Sequence, residues 1–426
     1  MREMRDSGIE WIGAIPQDWQ LSKIGSLYTQ RNEKVSDKDY QPLSVTMQGI
    51  LPQLATAAKT DDGDNRKLVR VGDFAINSRS DRRGSCGISP LDGSVSLINI
   101  ILTPRTAMHP GYYNWLFHTT LFADEFYKWG HGIVADLWTT RWQEMKSITV
   151  PVPEYAEQER IAAFLDAECA EIDTVLEKTR ASIEEYKKLK QAVITQAVTK
   201  GIRGDRLMKD SGIEWIGDIP AEWRKTQLRH CATIKSGITL GKKYEKADNL
   251  VERPYLRVAN VQGGYVDLSM LTTIEVTKDE DLKYRLCDGD VLMTEGGDRD
   301  KLGRGCVWHG EIEPCLHQNH IFAVQTSKDT LLPEFLEYLT VSDVGRSYFD
   351  VTAIKTTNLA CTSSSKVLAF TIPLPSVEEQ AEIVEALNTK CAGIDALIAK
   401  KQQYLTEIEN YKKSLIYEYV TGKREV

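Results

Sequence analysis

The chain contains an internal duplication, which constrains its fold more than any other feature of the sequence. Residues 4–19 read MRDSGIEWIGAIPQDW and residues 208–223 read MKDSGIEWIGDIPAEW, so twelve of sixteen positions are identical at an offset of 204. A second match pairs residues 149–153 (TVPVP) with 371–375 (TIPLP) at an offset of 222, and it continues without a gap to residues 199 and 421. A repeat of this kind predicts two structurally similar units.

The two units share their ends and differ in their middles. The offset grows from 204 at the first match to 222 at the second, so the middle of the second unit is longer by the difference between these offsets. Residues 20–147 and 224–369 hardly align with each other. Two repeat units with similar ends and divergent middles predict one structural scaffold that carries two different binding surfaces.

The repeated segment that follows Pro153 and Pro375 has the spacing of a coiled-coil helix, with seam residues alternately four and three apart. Each helix has about 40 residues and is therefore roughly 60 Å long. We predict that the two copies pair antiparallel within one chain; the alternative is two separate helices, each packed on its own globular domain. Lys190 and Lys412 occupy equivalent seam positions, where they mark either the register or the point at which the seam reaches solvent. The predicted seam is Leu165, Cys169, Ile172, Leu176, Thr179, Ile183, Tyr186, Lys190, Val193 and Ala197, and Leu387, Cys391, Ile394, Ile398, Lys401, Leu405, Ile408, Lys412, Leu415 and Tyr419.

The divergent segments have a mixed α/β pattern, and each contains a Gly-Asp turn, a strand and a charged loop with glycines. Residues 66–83 hold six basic and two acidic side chains. Arginine suits DNA because its planar fork binds guanine edges or phosphates. The alternative is a solvated hairpin tip. The candidate contacts in these loops are Arg79, Arg82 and Arg83 in the first segment and Arg299, Lys301 and Arg304 in the second.

Later stretches of both segments supply further candidates. Residues 130–137 and 352–359 are polar loops of small residues that precede the repeated Pro-x-Pro motif. Asn319 and His320 are candidate base readers, with a buried structural role as the alternative. The candidates in the two later loops and the run that follows the first are His131, Arg141, Lys355 and Asn358.

Motifs for catalysis are missing. Residues 237–243 (GITLGKK) approach a phosphate-binding loop, but one residue is missing between the glycines and a lysine stands where Ser or Thr should hold magnesium. The sequence has no GxGxxG, methyltransferase Asn/Asp-Pro-Pro-aromatic, HExxH or GxSxG motif. These observations predict a chain without its own catalytic site or cofactor.

Composition narrows the class of protein further. The eight cysteines form no CxxC pair, so Cys306 and Cys315, with three histidines nearby, are interpreted as reduced thiols rather than as a zinc site. No apolar run is long enough for a membrane span and no secretory signal is found, which predicts a cytoplasmic location. The net charge of −8 argues against a free-standing nucleic-acid binder, but it suits a subunit whose partners supply phosphate contacts.

The doubled motifs together resemble the specificity subunit of type I restriction-modification systems, over essentially the whole chain. The resemblance is carried by the tryptophan-bearing starts at 8–19 and 212–223, the Pro-x-Pro-x-x-x-Glu-Gln motifs at 151–158 and 373–380, and the helix ends at 193–201 and 415–422. In the second divergent segment, residues 292–298, 302–305 and 318–322 also look like the family.

This resemblance implies an α+β fold of two tandem mixed α/β target-recognition domains, joined by two long antiparallel coiled-coil helices in a pseudo-two-fold internal repeat. The expected boundaries are residues 1–150 and 205–372 for the domains and 151–204 and 373–426 for the helices. Each domain would read one half of a bipartite, asymmetric double-stranded DNA site. The helices would act as a ruler and dock two methyltransferase subunits, which bind S-adenosylmethionine, and restriction subunits would join that core. The alternatives are a fused methyltransferase or nuclease and a scaffold that binds only protein.

Overall fold

A computed structural model describes residues 2–53, 63–132, 138–244, 249–297, 302–355 and 360–426, with only the main chain of Lys355. The chain divides into two compact units. Unit 1 comprises Met1–Arg180 and Gln402–Val426, and unit 2 comprises Ala181–Lys401. Each unit therefore contains one divergent segment and part of both long helices. The domain boundaries given above stay a prediction.

Unit 1 is built mainly from short strands, with a few helices packed on them. Its strands are β1 (Met4–Asp6), β2 (Ala14–Pro16), β3 (Gln20–Lys23), β4 (Tyr28–Arg31), β5 (Lys34–Val35), β6 (Leu43–Thr46), β7 (Gly49–Pro52), β8 (Arg66–Val69), β9 (Phe74–Asn77), β10 (Cys86–Ile88), β11 (Gly93–Val95), β12 (Asn99–Pro104) and β13 (Thr149–Val152). Its helices are α1 (Ile24–Leu27), α2 (Pro110–Phe117), α3 (Thr120–Lys128), α4 (Trp142–Met145) and the first part of α5 (Tyr155–Lys200).

Unit 2 repeats this arrangement with some additional elements. Its strands are β14 (Met208–Asp210), β15 (Asp218–Pro220), β16 (Arg224–Gln227), β17 (Ala232–Ser236), β18 (Leu250–Leu256), β19 (Thr272–Thr277), β20 (Val291–Thr294), β21 (Gly296–Gly297), β22 (Gly305–Val307), β23 (Leu316–His317), β24 (Ile321–Thr326), β25 (Ile354–Lys355), β26 (Ala360–Cys361) and β27 (Thr371–Leu374). Its helices are α6 (Lys278–Tyr284), α7 (Pro333–Val341), α8 (Asp343–Thr352), α9 (Ser364–Ala369) and the first part of α10 (Val377–Val420).

The same four-stranded antiparallel sheet lies at the centre of both units. Its strand order is β10-β9-β12-β4 in unit 1 and β22-β20-β24-β17 in unit 2. In each unit the helices that follow the sheet supply Phe and Tyr side chains to an apolar core, including Phe117 and Phe122 in unit 1 and Phe335 and Phe349 in unit 2. The predicted mixed α/β duplication is confirmed by this shared topology.

The strand registers show where the additional residues of unit 2 lie. Strand β4 pairs with β12 as β17 pairs with β24, and these registers relate β17 to β4 at the offset of 204. Strands β9 and β20 pair with the same two strands, and their registers relate β20 to β9 at an offset of 217. Most of the increase in offset therefore arises between β17 and β20, where unit 2 has β18, β19 and α6. The added chain mainly builds a larger side sheet, and the central sheet is unchanged.

The long helices pair antiparallel within each unit. In unit 1, Lys412 Nζ lies 2.6 Å from a carboxylate oxygen of Asp173, and the Phe164 and Tyr419 rings are 4.4 Å apart. In unit 2, Lys190 Nζ lies 2.6 Å from Asp395. The two Lys–Asp pairs are related by the repeat offset of 222, so the equivalent seam residues Lys190 and Lys412 each contact an aspartate of the facing helix.

Seam burial follows the predicted heptad spacing. All twenty seam positions are buried or half-buried, while most of the side chains between them in the middle of the helices are exposed. A continuous a/d stripe of this kind is what a coiled-coil helix must cover. The heptad prediction is confirmed by this pattern.

The C-terminal end of each helix completes the core of a unit that holds the start of the other helix. In unit 1, the Tyr112 hydroxyl donates to the Val420 carbonyl at 2.8 Å, and the Tyr417 hydroxyl donates to Ile12 O at 2.9 Å. In unit 2, the Gln191 amide donates to Val341 O at 2.9 Å. The alternative in which each helix packs only on its own domain is therefore wrong.

The repeated tryptophan and glutamate motifs meet in a buried cluster. In unit 2, the Trp223 indole N–H donates to Glu379 at 2.9 Å, and Arg206 donates to the same carboxylate at 2.5 Å. In unit 1, Trp19 donates to Glu157 at 2.9 Å, and Arg2 also bonds to that carboxylate. These motifs therefore fasten the chain that directly precedes each divergent segment to the start of a long helix, which is a structural role.

The adjacent glutamine of each motif caps main-chain groups. The Gln380 amide donates to Pro375 O at 3.1 Å and accepts from Leu332 N at 2.8 Å. Gln158 makes the corresponding bonds to Pro153 O and His109 N, at 2.8 and 2.9 Å. Both glutamines are buried, so these bonds satisfy polar groups that would otherwise be left without partners.

Two findings concern sites and spans among the described residues. No helix there is long and apolar enough to cross a membrane. In the same ranges, no three His, Cys, Asp or Glu side chains are grouped so as to hold a metal ion.

Candidate nucleic-acid interface

In unit 1, a short main-chain ladder brings three separated segments together at the end of β9. The strand continues through Arg79, which pairs with Thr139, and Thr139 pairs in turn with His131. Ser80 N donates to Trp138 O at 2.9 Å, and Thr140 N donates to Ser78 O at 2.9 Å. The ladder therefore places the charged loop after β9 beside the polar loop that precedes the repeated Pro-x-Pro motif.

Beside this ladder lies an open cleft of about 350 Å³. Lys67, Arg79 and Arg141 line it with positive charge, and Leu97 and Ile98 line it with aliphatic surface. The Lys67 amine donates to Asn99 O at 2.7 Å, and burial lowers the pKa of that amine. A basic cleft of this size suits part of a polyanion rather than a neutral ligand.

The three arginines of the loop have different environments. The Arg82 side chain is 69% exposed and lies 4.0 Å from Asp81, whereas Arg79 lies 3.9 Å from the same carboxylate and lines the cleft. Arg83 is paired with Asp124, and its guanidinium lies 5.9 Å from the centroid of the Tyr127 ring. Arg83 is thus held against α3, while Arg79 and Arg82 face the open side.

His131 and Arg141 are positioned by one acidic residue. Glu144 lies in α4, and one of its carboxylate oxygens accepts a hydrogen bond from Arg141 N at 3.0 Å. The other lies 3.7 Å from His131 Nε2. Both candidate side chains are exposed, while the main chain is held at Arg141 by Glu144 and at His131 by its pairing with Thr139.

Unit 2 has the same main-chain ladder with different side chains. Gly296 pairs with Cys361, and Cys361 pairs with Ile354, in the positions of Arg79, Thr139 and His131. Thr362 N donates to Glu295 O at 2.8 Å, as Thr140 N does to Ser78 O in unit 1. One scaffold thus presents an arginine and a histidine in unit 1 and a glycine and an isoleucine in unit 2.

Asn319 and His320 lie next to this second ladder. The exposed His320 ring donates from Nδ1 to a carboxylate oxygen of Glu295 at 2.5 Å, and Glu295 N donates to His320 O at 2.9 Å. Asn319 N donates to Ile238 O at 3.1 Å. Because Thr294 pairs with Ile321 as Asn77 pairs with Asn99, Asn319 and His320 occupy the positions of Leu97 and Ile98 in unit 1.

The buried neighbour of these residues gives unit 2 a pH-dependent stability. His317 Nδ1 lies 3.1 Å from Ile321 O, and burial lowers the pKa of the ring to about 4. An unfolded histidine has a pKa of about 6.5, so the unfolded chain takes up the proton first as the pH falls. The contribution of neutral His317 is present above about pH 6.5 and is lost as the pH falls towards 4.

We expect this linkage to cost unit 2 about 2 kcal/mol between pH 7 and pH 5. Urea unfolding of the wild-type chain and of His317→Leu at both pH values measures it. Between pH 7 and pH 5 the wild-type chain is expected to lose about 2 kcal/mol more stability than the Leu variant, whatever their absolute stabilities, because other buried groups titrate equally in both. Equal pH dependence in the two proteins would contradict the assignment.

Comparisons with known proteins agree with this architecture. The EcoKI type I restriction enzyme specificity subunit of Escherichia coli is 23% identical over 441 residues, which cover 96% of this chain and 90% of that protein. The MjaVIII specificity subunit of Methanocaldococcus jannaschii is 24% identical, with 97% of this chain and 94% of that protein covered. A match to the MjaX specificity subunit of the same archaeon, 26% identical, covers 48% of this chain and only 47% of that protein. No family model matches the chain.

Among solved structures, a chain from a type I R-M system, studied for its complex assembly and conformational transition, covers 96% of this chain and 99% of its own length. Its TM-score is 0.72 and its identity is 15%, so this likeness shows the fold. Over nearly its whole length the chain is similar to type I restriction enzyme specificity subunits. The resemblance stated from the repeated motifs is confirmed.

Several of the predicted contacts can be placed in the structure, and others lie outside the described residues. Arg79, His131 and Arg141 meet at the first ladder, with Arg82 at the adjacent tip. Arg304 lies against the turn at Gly263, just before β22. Lys355 is placed by its main chain in β25, opposite Ala360. Arg299, Lys301 and Asn358 lie outside the described residues. As DNA contacts, all twelve candidates stay predictions.

Reasoning from sequence missed part of the cleft of unit 1. Gln30 lines it from a strand far along the chain from the charged loop, and Lys67 lines it although it was not among the candidate contacts chosen from the basic run 66–83. Leu97 and Ile98 belong to the β-rich run of residues 96–102, whose composition is typical of a strand. The strand begins only at Asn99, and that boundary leaves the two preceding side chains exposed.

Proposed function

We propose that the chain is the DNA-recognition subunit of a type I restriction-modification complex and reads a bipartite, asymmetric double-stranded site. One half-site would be read by the ladder and cleft of unit 1, and the other by the equivalent surface of unit 2. The observation that carries the proposal is the shared ladder, which holds Arg79 and His131 in one unit and Gly296 and Ile354 in the other. One main-chain scaffold that presents two different sets of side chains suits the recognition of two different half-sites.

The proposed partners follow from the family. Two methyltransferase subunits would bind S-adenosylmethionine and dock on the long helices, and restriction subunits would join them. The chain itself would carry no cofactor and perform no catalysis. Positive charge is concentrated at the cleft while the net charge of the whole chain is −8, which fits a reader whose partners supply much of the phosphate contact.

Replacing Arg79 with alanine tests this assignment in the assembled methyltransferase. If the guanidinium reads a guanine, we expect a loss of about 1–3 kcal/mol and relaxed specificity at one position of one half-site. If it binds phosphate, affinity should fall for all sequences, and the slope of log affinity against log salt concentration should decrease by about one. Selection from a random bipartite DNA library at several salt concentrations measures both effects.

Arg79→Lys is the matched control, because it keeps the charge and loses the fork that binds two acceptors at once. The half-site read by unit 2 is an internal control and should be unchanged. Unaltered affinity, specificity and salt dependence in Arg79→Ala would place the cleft outside the DNA interface. Methyl transfer to DNA by the purified chain without partners would favour the fused-enzyme alternative.

A further inference from the structure

Two aliphatic side chains are exposed at the rim of the basic cleft in unit 1. Leu97 is 37% exposed and Ile98 is 41% exposed. Both are held on a fixed turn, since Asn99 N donates to Ser96 O at 3.1 Å and the Ser78 hydroxyl donates to Ile98 O at 2.5 Å. A rigid turn that presents leucine and isoleucine to solvent keeps apolar surface available for a ligand.

The surroundings of this pair restrict what the ligand can be. Lys67, Arg79 and Arg141 line the same cleft, so the ligand must combine negative charge with a small apolar group. Double-stranded DNA meets both requirements, because its phosphates flank a major groove in which the 5-methyl group of thymine is the aliphatic feature. An apolar protein segment would leave the three cations of the cleft without an anionic partner in the ligand.

Unit 2 provides the contrast. At the positions equivalent to Leu97 and Ile98 it has Asn319 and His320, whose side chains offer hydrogen-bonding groups instead of methyl groups. The strand register beside this turn is the same in both units, since Asn77 pairs with Asn99 as Thr294 pairs with Ile321. The difference between the two surfaces at this point is therefore chemical.

We propose that Leu97 and Ile98 read a thymine by its 5-methyl group in the half-site bound by unit 1, while Asn319 and His320 read base edges by hydrogen bonds at the corresponding place in the other half-site. This inference rests on the proposed function. It names the base feature that the unit 1 surface recognises, and it assigns a binding role to residues that the charge pattern did not single out.

Deoxyuridine substitution is the direct test, because it removes only the methyl group. Each thymine of the selected site is replaced in turn, and binding by the assembled methyltransferase is measured. We expect about fourfold weaker binding for at least one thymine of the unit 1 half-site, the equivalent of one buried carbon at about 0.8 kcal/mol. The double variant Leu97→Ala, Ile98→Ala should bind thymine and deoxyuridine DNA equally at that position.

The control exchanges the chemistry of the two units. In Leu97→Asn, Ile98→His, sensitivity to the methyl group should disappear while selection of the unit 2 half-site persists. A unit 1 half-site without thymine, neutral deoxyuridine at every position, or an unchanged penalty in the Ala variant would overturn the inference. So would failure of either variant to assemble with the methyltransferase subunits, because the pair would then be a protein contact. Loss of all sequence preference by the wild-type complex would instead refute the proposed function.

Discussion

Replacing Glu379 with alanine is expected to destabilise unit 2 by about 3–5 kcal/mol, because it breaks a buried ion pair from one side. The Glu379 side chain is 6% exposed and that of its partner Arg206 is 11% exposed. Without the carboxylate, Glu222 is the ion-pair partner that Arg206 keeps among the described residues, and the Trp223 indole N–H loses its acceptor. Urea unfolding of the full chain, followed by hydrogen exchange in unit 2, measures the loss.

Two further variants separate charge from hydrogen bonding. Glu379→Gln keeps an acceptor for Trp223 and removes the charge, so it should be less harmful than the alanine variant. Glu157→Ala breaks the equivalent cluster of unit 1 and should leave the hydrogen exchange of unit 2 unchanged, because Glu157 contacts Arg2 and Trp19. An alanine variant of Glu379 that loses less than about 1 kcal/mol, well below the cost of breaking a buried pair, would show that the repeated motif does not fasten the helix.

This cluster also shows what could and could not be predicted from sequence. The repeat marked Trp19, Glu157 and their copies as equivalent, because identity at a fixed offset is visible without a structure. That Trp19 meets Glu157 from a distant part of the chain is not visible, since nothing local relates the two positions. The heptad spacing was predictable because the seam positions of one helix lie only three or four residues apart, so the pattern is visible in the local sequence.

In the candidate interface too, features of the local sequence were predictable and features of the tertiary fold were not. Charged loops after a Gly-Asp turn could be located in both segments from local composition, and Arg79 does line a cleft. The ladder from Arg79 through Thr139 to His131 could not, because pairing between segments that are far apart in the sequence depends on the tertiary fold. The exposure of Leu97 and Ile98 depends on a strand boundary, and boundaries are the least predictable feature of a strand.

The paired helices lead to the prediction with the largest geometrical consequence. Both helices are continuous, and the seam contacts run antiparallel within each unit, from Phe164 with Tyr419 to Lys190 with Asp395. If their length sets the separation of the half-sites, a change that lengthens both helices and preserves the seam must change the spacer. Duplicating residues 176–182 and the facing residues 405–411 meets that condition, because each segment is one heptad with two seam positions.

We expect this double insertion to lengthen each helix by about 10 Å, at about 1.5 Å per residue. DNA rises about 3.4 Å per base pair, so the preferred spacer should grow by about three base pairs. The half-site bases should stay the same, because the reading loops are untouched. Mapping methylated adenines in cells that carry the engineered complex measures spacer and half-sites together.

The twist of DNA adds a second consequence. Three base pairs rotate one half-site relative to the other by about 100°, at about 10–10.5 base pairs per turn, so the engineered complex should bind more weakly or bend its DNA. Insertion into only the first helix is the control: it shifts one side of the seam against the other, so it should separate Lys190 from Asp395 or Lys412 from Asp173 and impair assembly. An engineered subunit that still prefers the original spacer, or whose half-sites change while the spacer does not, would show that the helices are not the ruler.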